Sequence, residues 1–127
     1  MKRTDKFIEI ESLLENLMKS HRDGSLLRMK ILFFSSMYEN LSVSMIIDKL
    51  GIKKTNFALM TASLEKEGCI TIKQSNMDKR CRLIELTEKG RQELDEYLNE
   101  VEKSLGPTSP EVDYAVDVLC KYLNRIV

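Results

Sequence analysis

Histidine occurs once in this chain, tryptophan not at all, and only five glycines and two prolines are present. A single histidine, His21, cannot supply both an acid and a base to a reaction, and it has no companions with which to hold a metal ion. No glycine-rich loop follows a strand pattern, so a phosphate cradle of the nucleotide-binding kind is excluded. The carboxylates Asp95, Glu96, Glu100 and Glu102 are more simply the wet side of a helix than a catalytic cluster. An enzyme is therefore not expected, nor is any cofactor. The cysteines, Cys69, Cys81 and Cys120, are an odd set without the close spacing or histidine partners of a zinc site. The first twenty residues read as a charged helix and not as a secretory leader, so the expected location is a reducing cytoplasm. No apolar run approaches the length of a membrane span; the longest lies near Phe33 and Phe34. Internal repeats and low-complexity tracts are absent.

An excess of either charge is lacking as well, with 20 basic and 20 acidic residues. Taken alone, that total argues against a nucleic-acid partner, because a phosphate backbone rewards basic proteins. The distribution reverses the argument. Between Lys49 and Arg82 there are eight Lys or Arg and three Asp or Glu, whereas the rest of the chain has twelve against seventeen. A neutral total conceals a basic segment on an acidic scaffold.

What is present is a clear order of helical and extended patterns in one unit of 127 residues, 43% of them hydrophobic. Over residues 5–22, Phe7, Ile10, Leu14, Leu17 and Met18 form one stripe of an amphipathic helix, with His21 expected to pack or cap near its end. Residues 26–38 are apolar nearly all round, which predicts a helix covered on several sides. Ser42 can cap a short helix carrying Val43, Ile46, Ile47 and Leu50, and Gly51 can end it in the left-handed backbone conformation. A second helix runs from Lys54 to the stop at Gly68, burying Phe57, Met60, Thr61 and Leu64. Its other face carries Thr55, Leu59, Ala62 and Lys66, with Asn56 and Ser63 on the flank, side chains small enough to let a helix approach base edges. Strand patterns at 69–73 and 82–86 follow, joined by a loop containing Asp78, Lys79 and Arg80; residues 41–43 are expected to add a short third strand. Two more amphipathic helices close the chain. One, at 88–105, carries Leu94, Tyr97, Leu98, Val101 and Leu105. After the break at 106–110, the other carries Val112, Ala115, Val116, Leu119, Leu123 and Ile126. The three terminal helices present more apolar surface than one small lobe can cover. Packing on each other and on a second copy is expected, the alternative being a monomer with all three folded onto its own core.

A charged hairpin tip is common by itself. Following two helices of this kind, Asp78 two residues before Arg80 has a sharper use: the carboxylate can hold the guanidinium in one orientation for a narrow, electronegative minor groove. Here the sequence resembles the MarR family (multiple antibiotic resistance regulators). The family pattern of acid, any residue, arginine, then a strand ending in Leu-Thr and a glycine three residues later is matched by Asp78, Arg80, Leu86, Thr87 and Gly90. Leu50-Gly51 and Leu64-Glu65-Lys66-Glu67-Gly68 are also similar to the family, and the match covers residues 41–90. The resemblance implies a mainly α fold with a small β-hairpin wing, a winged helix-turn-helix lobe at 25–90 and dimerisation helices at 1–24 and 91–127. It further implies a cytoplasmic transcriptional regulator, of the repressor kind, that binds a pseudo-palindromic double-stranded DNA operator as a homodimer. Control would come from a small lipophilic or phenolic effector in the cleft between dimerisation helices and lobe, or from cysteine oxidation.

By position, Thr55, Asn56, Leu59 and Ser63 would read DNA, Lys53 and Lys54 would meet its backbone, and Asp78, Lys79, Arg80 and Arg82 would form the wing contacts. Two departures stand out: Lys53 replaces a frequent capping serine, and Leu59 and Ser63 stand where arginines are common, which puts direct guanine readout in doubt. Cys81, between Arg80 and Arg82, has the cationic setting of a redox-sensitive thiol. The competing reading is a winged-helix module that binds a protein partner without specific DNA binding.

Overall fold

The helix at Leu26–Met37 lies at the centre of the molecule, as its apolar circumference requires, with Met29, Ile31, Leu32 and Ser35 buried. The one hydroxyl among them is satisfied within the helix, Ser35 Oγ donating to the Ile31 carbonyl at 2.7 Å. The computed structural model describes residues 2–19 and 26–126. In order, the elements are α1 (Arg3–Lys19), α2 (Leu26–Met37), β1 (Leu41–Ser42), α3 (Val43–Leu50), α4 (Lys54–Lys66), β2 (Ile70–Gln74), β3 (Arg82–Leu86), α5 (Glu88–Leu105) and α6 (Pro110–Ile126). His21 and the expected helix end near Arg22 fall outside the described residues.

One core gathers a residue or more from each element between α2 and α5: Leu41, Ile46, Phe57, Leu64, Ile70, Ile84 and Leu94 join the α2 side chains. The sheet is antiparallel in the order β1-β3-β2. Its register pairs Leu41 with Ile84, Ile70 with Leu86 and Gln74 with Arg82. Alternation along β3 points Ile84 into the core and Glu85 outward, while Arg82, on the face of Ile84, is exposed where the strand begins.

Three strand limits differ from the sequence pattern, β2 running one residue further to Gln74. Val43 opens α3 instead of extending β1, because the Ser42 hydroxyl already accepts the Met45 N–H at 3.2 Å and starts the helix. Cys69 precedes β2 because its N–H closes α4 on the Leu64 carbonyl at 2.9 Å, while Gly68, with φ of 78°, donates to Glu65 at 3.0 Å. Those two bonds form the Schellman arrangement that satisfies the last carbonyls of a helix.

α6 stands apart from this core, and α1 reaches it through Met18 near its C-terminal end. Their mutual contact is a near-parallel stack of Phe7 on Tyr122, centroids 6.4 Å apart, together with a 3.3 Å hydrogen bond from Arg3 Nη1 to the Tyr122 hydroxyl. No residue of α6 is buried, and Val112, Ala115, Val116 and Ile126 of its apolar stripe are exposed. No described helix is long and apolar enough to cross a membrane.

Candidate nucleic-acid interface

The helix-turn-helix is built by α3 and α4 with a turn between them. Gly51 takes φ of 61° and ψ of 37°, and its N–H returns to the Ile47 carbonyl at 2.9 Å, ending α3 in a conformation that a Cβ would strain. α4 then starts at Lys53 in extended backbone, with no side-chain cap on its first N–H groups. The departure from a capping serine therefore leaves unpaired donors and the positive end of the helix dipole beside Lys53 and Lys54, both exposed. Anionic oxygen is the natural complement of that end.

The two faces of α4 divide as their periodicity requires. Phe57, Thr61 and Leu64 are buried, and the Thr61 hydroxyl is turned back onto its own helix, donating to Phe57 at 2.9 Å and Ala58 at 3.2 Å. Thr55, Asn56, Leu59, Ala62 and Ser63 are exposed, with Leu59 at 74%. This outward face presents an amide, two hydroxyls and an apolar side chain, but no guanidinium.

The wing beside it has a tip fastened by its own hydrogen bonds. Ser75 N–H donates to Cys81 at 2.8 Å and Cys81 N–H donates to Asp78 at 2.9 Å. The Ser75 hydroxyl accepts the Met77 N–H at 3.2 Å and the Asp78 N–H at 3.4 Å, and the Gln74 amide donates to the Lys79 carbonyl. Asp78 Oδ1 accepts from the Arg80 backbone N–H at 3.0 Å and lies 3.4 Å from Arg80 Nε. The carboxylate thus fixes the Arg80 backbone more firmly than its guanidinium, whose side chain is 93% exposed. Lys73 pairs with Glu85 at 2.9 Å across the strands. Arg82 lies with Lys54 along a groove of about 300 Å³ between α4 and the sheet, so the structure brings cations of helix and wing to one surface.

Sequence periodicity missed the device that holds this surface to the rest of the molecule. Arg28 of α2 donates to both Glu93 oxygens of α5, from Nε at 2.7 Å and Nη2 at 2.9 Å, and from Nη1 to Glu67 at the end of α4. These bonds, led by those to Glu93, raise the Arg28 pKa above its ordinary value against the opposing effect of burial. Lys89 Nζ adds a cap on the Glu67 carbonyl at 2.7 Å. The available signal was Arg28 near the start of a largely apolar helix, since a charge held against a core needs a partner.

On the far side of α2 an apolar groove of about 530 Å³ opens between α1, α2 and α5, lined by Leu14, Met18, Met29, Phe33, Leu94 and Tyr97 among others. The Tyr97 hydroxyl donates to the Met18 carbonyl at 3.3 Å, and burial pushes its pKa up. Of the cysteines, Cys69 is buried, Cys81 half-buried at the base of the wing tip, and Cys120 exposed.

Residues 27–105 match the family model described as winged helix DNA-binding domain. No curated protein matches the sequence. Among solved structures, the fold is similar to apo wild-type MarR from E. coli, at 17% identity and a TM-score of 0.79 over 97% of this chain and 98% of that one. The transcriptional regulator BldR from Sulfolobus solfataricus is 21% identical, with a TM-score of 0.72 over 98% and 99% of the two chains. BpsR from Bordetella bronchiseptica, solved in connection with regulation of its DNA binding by 6-hydroxynicotinic acid, is 13% identical, with a TM-score of 0.73 over 97% and 93%.

Proposed function

The chain belongs to the winged helix DNA-binding domain family and has the MarR-type fold, and from that premise we propose a sequence-specific transcriptional regulator that binds double-stranded DNA as a homodimer. The observation that carries this reading is the groove along which Lys54 of the uncapped α4 and Arg82 of the wing strand lie together, with the braced Arg80 at the tip of the same wing. α4 enters the major groove, where the Asn56 amide matches the paired donor and acceptor of adenine, Leu59 suits a thymine methyl group, and Thr55 and Ser63 lie within reach. Lys53 and Lys54 meet the phosphates. Lys79, Arg80 and Arg82 serve the adjacent minor groove, with Asp78 as the brace.

The uncovered stripe of α6, stacked on α1 through Phe7 and Tyr122, is the surface for the second copy. Two-fold symmetry then presents the two α4 helices to successive major grooves about 34–36 Å apart, which calls for a pseudo-palindromic operator. The groove between α1, α2 and α5 suits a small lipophilic or phenolic effector, as the regulation of BpsR by 6-hydroxynicotinic acid suggests by analogy. An occupant would press on the helices that carry the lobes and so alter their spacing.

Leu59 exposed on a face without arginine also suits a protein partner docked on α4. Selection of bound sequences from a random duplex pool, followed by affinity at several salt concentrations, separates the two readings. Enrichment of a palindrome whose affinity falls steeply with salt is the expected result. Weak, sequence-blind binding would overturn the regulator in favour of the protein-binding module.

A further inference from the structure

The wing tip carries one residue for which electrostatic contact has no use. Met77 is 97% exposed, the most exposed large apolar side chain among the described residues. Single exposed apolar side chains are ordinary on protein surfaces, and alone this one would call for no explanation. Three circumstances distinguish it. Turn apices are normally occupied by glycine, asparagine, aspartate, serine or proline, each with a conformational reason, and methionine has none of them. The loop is held on both sides of the residue, by the Ser75 hydroxyl at the Met77 and Asp78 N–H groups and by the Gln74 amide at Lys79, so the apex is presented in a defined orientation. Finally, Lys79 and Arg80 follow within three residues, so whatever draws these cations to phosphate carries the thioether to the same place.

We propose that Met77 is an apolar wedge that enters between base pairs in the minor groove beside each half-site, making the wing a reader of DNA deformability as well as of charge. The inference rests on the DNA-binding function proposed above. An unbranched, polarisable side chain is thin enough to part a base step, and methionine is among the residues that architectural proteins insert in this way. Parting a step costs least at pyrimidine–purine steps, TA above all, so specificity arises at a position where no hydrogen bond is made to a base edge.

The test uses the full chain as wild type, Met77→Ala and Met77→Leu. Each is titrated against two duplexes that share the selected half-sites and differ only at the step under the wing, TA in one and GG in the other. A 2-aminopurine beside that step reports unstacking by its fluorescence. Wild type should prefer the TA duplex by about tenfold, on the scale of one mismatched pair, and should brighten the probe. Met77→Ala should bind both duplexes alike with the probe quenched, and Met77→Leu should keep most of the preference. Because the side chain makes no packing contact, these variants fold as the wild type does. Equal behaviour of wild type and Met77→Ala on both duplexes would overturn the wedge and leave the regulator standing. Absence of any specific duplex binding by wild type would overturn both.

Discussion

Gly90 sets two elementary expectations against each other. It lies in the first turn of α5, where replacing glycine by alanine is ordinarily worth about 0.5–1 kcal/mol to a helix through reduced backbone entropy. Propensity therefore predicts that Gly90→Ala stabilises. The packing predicts the opposite. A Cβ at this position would fall 2.1 Å from the Cys69 carbonyl oxygen, 2.7 Å from Leu86 Cδ1 and 3.0 Å from the Cys69 carbonyl carbon. The leucine can turn aside, but the carbonyl cannot. It is backbone, it accepts the Thr87 N–H at 3.1 Å, and it belongs to the residue that closes α4.

Relieving the overlap in full requires α5 to move away by about 1.4 Å, from 2.1 Å to the roughly 3.5 Å at which carbon and oxygen meet comfortably. Such a shift strains the Thr87–Cys69 bond, the 2.6 Å bond from the Thr87 hydroxyl to Gly68 and the 3.1 Å cap from Gly90 to that hydroxyl. Overpacking costs about 1–3 kcal/mol and each hydrogen bond contributes about 0.5–1.5. Against the propensity gain, the net expectation is a loss of roughly 2–4 kcal/mol. Urea unfolding followed by circular dichroism, at one fixed protein concentration because the proposed dimerisation would make the midpoint depend on it, should show the midpoint falling by about 1–2 M. A variant with an unchanged or higher midpoint would refute the steric argument and leave propensity as the governing effect.

The same glycine illustrates what can be read from a linear pattern. Its place in the sequence was legible only by resemblance, because its reason is a carbonyl twenty-one residues earlier that no local pattern reveals. Local signals did better. Ser42 and Gly51 mark the ends of α3 because caps depend on neighbours within a turn, and the two strand patterns pair as a hairpin because the short loop between them leaves little freedom. Asp78 braces Arg80 for the same reason, being two residues away. The apolar character of Cys69 suits either strand or turn, and only the Schellman bonds decide the matter. Arg28 reaches partners 39 and 65 residues away and was invisible to periodicity. The α6 stripe was legible as apolar, but how far the described residues leave it uncovered was not.

Arg28→Met should cost about 2–3 kcal/mol in the same urea assay, since it removes both guanidinium bonds to Glu93, whose side chain is 22% exposed, whereas Glu67→Gln at the half-exposed end should cost less than about 1. Equal effects would mean that the clamp is not centred on Glu93. Burial pushes the Cys69 thiol pKa up, so the folded state resists its ionisation; that contribution to stability is intact below the unfolded thiol value and declines as pH rises through it towards the folded value. An aromatic disulfide reagent should accordingly label Cys120 quickly and Cys69 only on unfolding; rapid labelling of Cys69 in the native protein would contradict its burial. Asp78 offers a contest of sign. Charge alone says that Asp78→Ala brings the wing closer to DNA and tightens binding, whereas loss of the 3.0 Å bond to the Arg80 N–H frees the tip and weakens it. We expect weakening of about threefold, smaller than the loss from Arg80→Ala and less dependent on salt, because Asp78 acts through the tip and releases no counterions of its own. Tighter binding by a folded Asp78→Ala protein would reduce this loop to a charged turn.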